Sequence, residues 1–116
     1  MVRRFVPDAG NIVWVDFDPQ AGREQAGHRP ALVLSPFSYN NATGLMLCCP
    51  LTTQVKGYPF EVLLTDVSQV ESAVLADQIS SLDWRMRNAT HKGEAPAAVL
   101  SQVRAKVAAL MGLVIG

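Results

Sequence analysis

The chain has 116 residues, 49% of them hydrophobic and only 17% charged, and its net charge is zero. This length predicts a single domain spanning residues 1–116 with enough buried surface for a core. The balanced charge excludes a protein that holds nucleic acid by bulk positive charge, and the shortage of charge predicts a surface partly covered by a partner or a second copy.

The first half of the chain alternates apolar strands with turns and one short helix. Residues 12–17 predict a strand that is apolar on both faces, and a polar loop at residues 18–28 follows it. A second strand is predicted at residues 31–34. Ser35 and Pro36 are typical of a helix N-cap followed by a first-turn proline, so residues 37–41 predict a helical turn that ends at Gly44. A third strand is predicted at residues 45–49.

The second half begins with strands and ends with a helix. Strands are predicted at residues 60–64 and, as one bent strand or two short ones, at residues 70–76 and 78–82. Apolar residues then recur in steps of three and four from Val99 to Val114, which predicts an amphipathic helix. This order predicts a mainly β fold: a small, strongly curved antiparallel sheet of the SH3-like barrel type with a packed C-terminal helix.

Several residue types are informative through their spacing. Cys48 and Cys49 are adjacent in a predicted strand, so they should face opposite sides as buried, free thiols, which fits a reducing cytoplasm. No cluster of residues has metal-site spacing, so the prediction includes no metal and no cofactor. Residues 107–115 are far short of the ~20 apolar residues of a membrane span, and no apolar signal core follows residues 1–5, which predicts a cytoplasmic protein without a membrane partner.

Two short motifs carry candidate chemistry. Arg29 lies in Gly-His-Arg-Pro at the entrance to an apolar strand, and Thr52 lies in Pro-Leu-Thr-Thr at the exit of another. A guanidinium offers a rigid fork of donors to phosphate oxygens, and a threonine hydroxyl offers a short donor beside it. Together they predict phosphodiester chemistry, with local positive charge available from Arg23 and Lys56 and from a second cluster at Arg85, Arg87 and Lys92.

With Gly-Asn-Ile-Val-Trp-Val-Asp-Phe-Asp-Pro at residues 10–19 and Leu-Ala-Asp-Gln at residues 75–78, the chain resembles the MazF family. These are MazF/PemK ribonuclease toxins of bacterial type II toxin–antitoxin pairs, with a fold of the MazF/CcdB/Kid type. The resemblance runs from Met1 to about Leu113. It implies a sequence-specific, metal-independent endoribonuclease that cuts single-stranded messenger RNA, expected at an ACA-type motif, and so arrests growth.

The resemblance also implies the products and the partners. Attack by the substrate's 2′-hydroxyl would leave a 2′,3′-cyclic phosphate and a 5′-hydroxyl. The partners would be a second copy of the chain, forming a homodimer, and a cognate MazE-like antitoxin. The antitoxin's partly disordered acidic tail would fold as it covers the site.

Three residues are predicted to be catalytic. Arg29 would stabilise the pentacoordinate phosphate, and in the family the matching arginine is also proposed to move a proton. The resemblance makes Thr52 its partner, whereas Glu24 could orient Arg29 or accept a proton. A histidine pair is disfavoured because His28 directly precedes Arg29 and should face away from it in a strand. The alternatives are a loop-fixing salt bridge for Arg29 and a solvated position for Glu24.

Further residues are predicted to contact RNA through stacking, base edges or phosphates. They are Phe17, His28, Thr53, Gln54, Lys56 and Gln78. Core packing for Phe17, a packing or surface position for His28 and a sheet-backbone contact for Gln78 are the alternatives. The family often has lysine two positions after that glutamine, whereas this chain has Ser80, so one expected phosphate contact is weakened.

Two other functions are compatible with the same fold. CcdB-type toxins share it, bind DNA gyrase and have no nuclease activity, so the fold alone does not decide between them. A plain binding module built on a small barrel is the other alternative, and it predicts no growth arrest on expression.

Overall fold

Seven strands and two helices make up the described part of the chain, residues 5–17, 28–65 and 69–113 of a computed structural model. The strands are β1 (Asn11–Asp16), β2 (His28–Val33), β3 (Leu45–Thr52), β4 (Glu61–Thr65), β5 (Glu71–Leu75), β6 (Ser80–Asp83) and β7 (Thr90–Glu94). The helices are α1 (Phe37–Thr43) and α2 (Ala97–Leu110), and a single 3₁₀ turn at Ala76–Gln78 separates β5 from β6.

The strands form one antiparallel sheet in the order β4-β5-β3-β2-β1-β7. β3 is the centre of its curvature. One edge of β3 pairs with β2, while the other pairs first with β6 along residues 45–48 and then with β5 at residues 51–52. The predicted small, curved antiparallel sheet with a C-terminal helix is therefore confirmed, as a curled half-barrel. The region after residue 70 consists of two short strands.

Apolar side chains are buried on both faces of this sheet. Ile12 belongs to the cluster beneath α2, whereas Val13 belongs to the cluster on the opposite face with Trp84. Cys48 and Cys49 divide in the same way, and both are fully buried free thiols, as predicted. Burial raises the pKa of each thiol to about 12, so they pack as small apolar groups at neutral pH.

Two strands near the candidate motifs are longer than predicted. β2 begins at His28, three residues before the predicted start, and β3 continues through Pro50 to Thr52. Pro50 is tolerated because it lies between the β6 and β5 pairings, where a missing N–H interrupts no hydrogen bond. Of the predicted loop at residues 18–28, residues 18–27 lie outside the described residues.

The predicted Ser35 N-cap of α1 is wrong. Pro36 occupies the N-cap position, and the Ser35 hydroxyl instead donates to Asn40 at 2.6 Å and accepts from the Leu47 N–H at 2.8 Å. The N–H of Phe37 donates to the Asp8 carboxylate at 2.8 Å. Tertiary contacts therefore replace the local cap, while Gly44 ends the helix as predicted, with φ of 76°.

The structure contains an edge strand that was not predicted, and its last helix ends earlier than predicted. β7, with the polar sequence Thr-His-Lys-Gly-Glu, had no apolar alternation to predict it, and in the described part of the chain it pairs with β1 alone. α2 runs from Ala97 to Leu110, and the predicted end at Val114 lies outside the described residues. Within the described ranges, no helix is long and apolar enough to cross a membrane.

Candidate RNA-cleaving groove

An open groove of about 630 Å³ lies where β2 begins and β3 ends. The two strands are antiparallel, with Ala31 opposite Pro50, so continuing that register by two residues sets Arg29 opposite Thr52. Both residues line the groove. The longer strands therefore bring together the two motifs that lie 23 residues apart in the sequence.

Arg29 is half-buried and held by two contacts. Its Nη2 donates to the carbonyl of Leu51 at 3.3 Å, and its guanidinium carbon lies 6.0 Å from the centroid of the Phe17 ring. No carboxylate of the described residues lies within ion-pair distance of Arg29. The guanidinium therefore keeps donors available for an anionic ligand in the groove.

The end of β3 supplies the hydroxyls and the amide. The Thr52 Oγ1 accepts the N–H of Gln54 at 3.1 Å, which leaves the hydroxyl proton free to donate. Thr53 and Gln54 are exposed and line the same groove. This wall thus offers both donors and acceptors within reach of Arg29.

A smaller pocket of about 190 Å³ adjoins the groove through Thr52 and Gln54, which line both. Lys56 and Gln78 also line it. The Glu61 carboxylate accepts the backbone N–H groups of Lys56, at 3.1 Å, and Gly57, at 2.8 Å. This anchors the turn that presents Lys56. Four predicted RNA-contacting or catalytic residues therefore converge on this pocket, and Ser80 is not among its lining residues.

The structure separates two predicted residues from the groove lining. His28 instead forms an ion-pair contact with Asp16, 3.0 Å between Nδ1 and Oδ1, and its ring stacks on Trp14 with centroids 5.4 Å apart. Phe17 packs partly buried against the core and meets the site only through Arg29. The predicted catalytic residue Glu24 lies outside the described residues.

Trp14 and Lys92 line the groove but were not predicted as site residues. Ile12 pairs with Gly93 and Val13 with His91, so Lys92 is the extra residue of a β-bulge, a feature that redirects a side chain. The Lys92 ammonium lies 5.3 Å from the centroid of the Trp14 ring. In the sequence, Lys92 was marked only by its place in the basic cluster with Arg85 and Arg87. The strand β7 that carries it could not be recognised from the sequence pattern.

Asp16, at the end of β1, has a perturbed carboxylate. A hydrogen bond from the Asn88 side chain, and then one from His28, lower the pKa of Asp16 below its usual value of 3.8. Among the described residues, no group of three or more histidine, cysteine or carboxylate side chains could hold a metal ion.

The curled sheet with its terminal helix and this groove are those expected of a small toxin of a bacterial toxin–antitoxin system, and comparisons with known proteins identify the family. The model of the PemK-like, MazF-like toxins of type II toxin–antitoxin systems matches residues 8–111. The chain therefore belongs to the PemK/MazF toxin family, which confirms the resemblance seen in the sequence.

Individual relatives match nearly the whole chain. The endoribonuclease toxin MazF of Escherichia coli (strain K12) is 56% identical over 112 residues, which cover 97% of this chain and 100% of that protein. A crystal structure of MazF from Deinococcus radiodurans superposes with a TM-score of 0.85 at 57% identity, covering 95% of this chain and 100% of the other. A MazE–MazF crystal structure from the same organism gives a TM-score of 0.83 at 51% identity, covering 96% of this chain and 100% of the other.

Proposed function

We propose that this MazF-type endoribonuclease toxin cuts single-stranded messenger RNA at a short, ACA-type motif, without a metal ion. The observation that supports the proposal is the juxtaposition of Arg29 and Thr52 across the β2–β3 register, in one groove. A fork of cationic donors beside a neutral hydroxyl is suited to a phosphate that gains negative charge during the reaction.

The reaction is an internal transfer within the RNA. The 2′-oxygen forms a bond to phosphorus as the bond from phosphorus to the 5′-oxygen breaks, which leaves a 2′,3′-cyclic phosphate and a 5′-hydroxyl. Arg29 stabilises the pentacoordinate phosphate, and its proton can pass to the strongly basic leaving alkoxide. An arginine guanidinium is a poor general base at rest. The 2′-hydroxyl proton must pass to a base as the bond to phosphorus forms, and Glu24 is the acceptor we propose.

The neighbouring residues would bind the flanking nucleotides. Phe17, beside Arg29, offers a ring for base stacking, and the exposed Thr53 and Gln54 offer donors and acceptors to base edges. Lys56 would meet a phosphate in the adjoining pocket, with Gln78 as a further contact. His28 would act at the rim of the groove, because it stacks on Trp14, which lines it.

The partners we propose are a second copy of this chain and a MazE-like antitoxin. The relative from Deinococcus radiodurans crystallises as a MazE–MazF complex. An antitoxin with an acidic tail would complement Arg29 and Lys56 and so occupy the groove that RNA needs. Toxin activity would then depend on how much antitoxin is present.

The test is cleavage of a labelled RNA oligonucleotide containing ACA. The wild-type protein should cut it in excess chelator, and a deoxyribose immediately 5′ of the cut phosphate should block cleavage because the nucleophile is gone. Arg29→Ala should lose at least about 100-fold in rate. Arg85→Ala removes the same charge outside the groove and should keep the wild-type cleavage rate.

Three outcomes would contradict the proposal: a requirement for Mg²⁺, cleavage of the deoxy-substituted oligonucleotide, or near-normal cleavage by folded Arg29→Ala. Growth arrest without any RNA cleavage would instead support gyrase binding.

A further inference from the structure

We infer that Arg87 is a positioning residue for the RNA site: it fixes the end of β1 and thereby keeps the Phe17 ring beside the Arg29 guanidinium. The inference rests on the proposed function, since it assumes that Phe17 stacks on a base of the bound RNA. Arg87 itself does not line the groove. It lies in the turn between β6 and β7, 70 residues from Phe17 in sequence.

The contacts of Arg87 restrain main chain rather than side chain. Its Nη1 donates to the carbonyl oxygen of Asp16 at 3.1 Å and also to that of Phe17. The N–H of Asp16 donates in return to the carbonyl of Arg87 at 2.9 Å. The peptide units on both sides of the Asp16–Phe17 bond are therefore tied to one guanidinium and one carbonyl.

Asn88 adds a second tie between the same turn and the same strand end. Its Nδ2 donates to Asp16 Oδ2 at 3.0 Å, while His28 contacts Asp16 Oδ1, also at 3.0 Å. Asp16 and His28 form the terminal pair of the β1–β2 ladder. The turn at Arg87–Asn88 thus holds the last residue of β1, and through it the first residue of β2, which precedes Arg29.

The turn is itself well fixed, which allows it to act as a support. Asp83 accepts the N–H groups of Arg85, at 3.0 Å, and Met86, at 2.9 Å, through its carboxylate, and that of Arg87 through its carbonyl. Asn88 has a φ of 57°, a left-handed conformation that asparagine adopts more readily than most residues. A rigid turn restrains the Phe17 backbone more firmly than a single flexible side chain would.

The expected effect falls on RNA binding more than on chemistry. Arg29 keeps its own hydrogen bond to Leu51, so releasing Arg87 leaves the catalytic guanidinium anchored. Phe17, by contrast, is only partly buried and depends on the position of its backbone for the 6.0 Å approach to Arg29. Losing that position should cost base stacking and therefore raise KM, with kcat nearly unchanged.

The test compares Arg87→Met with Arg104→Met in the full-length protein. Arg104 is a matched control because its guanidinium also donates to a main-chain carbonyl, that of Leu34 at 2.6 Å, but from α2. Arg87→Met should raise KM for the ACA oligonucleotide about tenfold, within the range for losing a base–aromatic stack. Arg104→Met should leave KM unchanged, even if both variants lower Tm.

A double-mutant cycle then separates positioning from general destabilisation. Arg87→Met and Phe17→Ala should be non-additive in KM, because both remove the same stacked ring, whereas Arg104→Met and Phe17→Ala should be additive. Arg87→Lys, which keeps one donor, should give an intermediate KM and serves as the variant if Arg87→Met does not fold. The dissociation constant for the uncleavable deoxy-substituted oligonucleotide should follow KM.

Equal KM values for the Arg87 and Arg104 variants, or additivity of Arg87→Met with Phe17→Ala, would overturn the inference. If Arg29→Ala still abolishes cleavage in that case, the proposed function stands and only the role of Arg87 is wrong. If the wild-type protein does not cleave the RNA at all, the proposed function itself is wrong.

Discussion

At the scale of single residues, the position along a strand decides which side chains reach the groove. Arg29 lines it, whereas the preceding His28 is bound to Asp16 and stacked on Trp14. This alternation was predictable from the sequence because neighbouring strand residues face apart. The contribution of Trp14 was not, since an aromatic residue in a strand is equally compatible with the core.

Thr52→Ala should lower kcat about tenfold, less than Arg29→Ala, because a neutral hydroxyl makes weaker hydrogen bonds than a charged guanidinium. RNA affinity should change little. Thr43→Ala is the control: its hydroxyl donates to the Tyr39 carbonyl, at 2.8 Å, in α1. Single-turnover cleavage together with binding of an uncleavable oligonucleotide measures both quantities. An unchanged kcat for Thr52→Ala would remove this hydroxyl from the mechanism.

Asp16 predicts a specific dependence of stability on pH. Its folded-state pKa is lowered by Asn88 first and by His28 second, so the ionised form is favoured in the folded protein. This contribution is fully present above the unfolded pKa of about 3.8 and is lost as pH falls through the lower folded value. Asp16→Asn should therefore flatten the acid side of the stability profile.

Urea midpoints measured from about pH 2 to about pH 6 test this dependence, because carboxylates paired in the folded state dominate acid destabilisation. An acid-side slope for Asp16→Asn identical to that of the wild-type protein would contradict the assignment.

At the scale of elements, patterns that carry their own hydrophobic period were predictable and those that depend on a distant partner were not. β1 and α2 follow from apolar spacing alone. β7 is a polar edge strand that pairs with β1 alone among the described strands. No local pattern predicts it, and the groove position of Lys92 was missed with it. The convergence of Arg29 and Thr52 was predictable because strand entrances and exits meet in an antiparallel pair.

The N-terminus of α1 is stabilised by a residue distant in sequence, and this contact can be tested. Asp8 accepts the N–H of Phe37 from 29 residues away, and that of Ala9 as well, each at 2.8 Å. Asp8→Ala should lower the free energy of unfolding by about 1 kcal/mol, the usual cost of losing a capping oxygen. Asp8→Asn should lose less because it keeps an acceptor, and RNA cleavage should be unaffected in both variants.

Denaturant unfolding gives these values, and Asp8→Ala with wild-type stability would show that α1 needs no cap. Ser35→Ala should also destabilise the protein, but through a buried network with Asn40 rather than through the helix end. The two effects should be only partly additive, because Asn40 also donates to the Pro7 carbonyl beside Asp8 and so links the two sites.

At the scale of the whole molecule, several large apolar side chains are exposed on a chain in which only 17% of residues are charged. Large apolar side chains are exposed on several elements, with Leu63 of β4 at 56% and Met86 of the β6–β7 turn at 77%. Phe37 and Tyr39 of α1 are also exposed. A symmetric pair of chains would cover such a surface with the same patch from each copy.

The protein should therefore be a homodimer at micromolar concentration, as measured by light scattering with sedimentation. The groove would lie at or beside the interface between the two copies. One RNA-binding surface could then combine Arg29 and Thr52 of one copy with loop residues of the other. Mixing inactive Arg29→Ala chains with wild-type chains should then change activity per wild-type subunit. A stable monomer with full activity would exclude a shared groove.

The antitoxin tail and the RNA should compete for that groove. An acidic, partly disordered peptide is attracted to the cationic wall formed by Arg29 and Lys56, and folding along it would exclude the RNA backbone from the same donors. Increasing concentrations of the peptide should raise the apparent RNA dissociation constant linearly with the free peptide concentration, without lowering the maximum amount of RNA bound. Lys56→Gln should weaken both ligands, whereas Lys106→Gln, a change of equal charge at the Pro59 carbonyl contact, should weaken neither. A ternary complex in which peptide and RNA bind without weakening each other would show that the antitoxin neutralises the toxin from another surface.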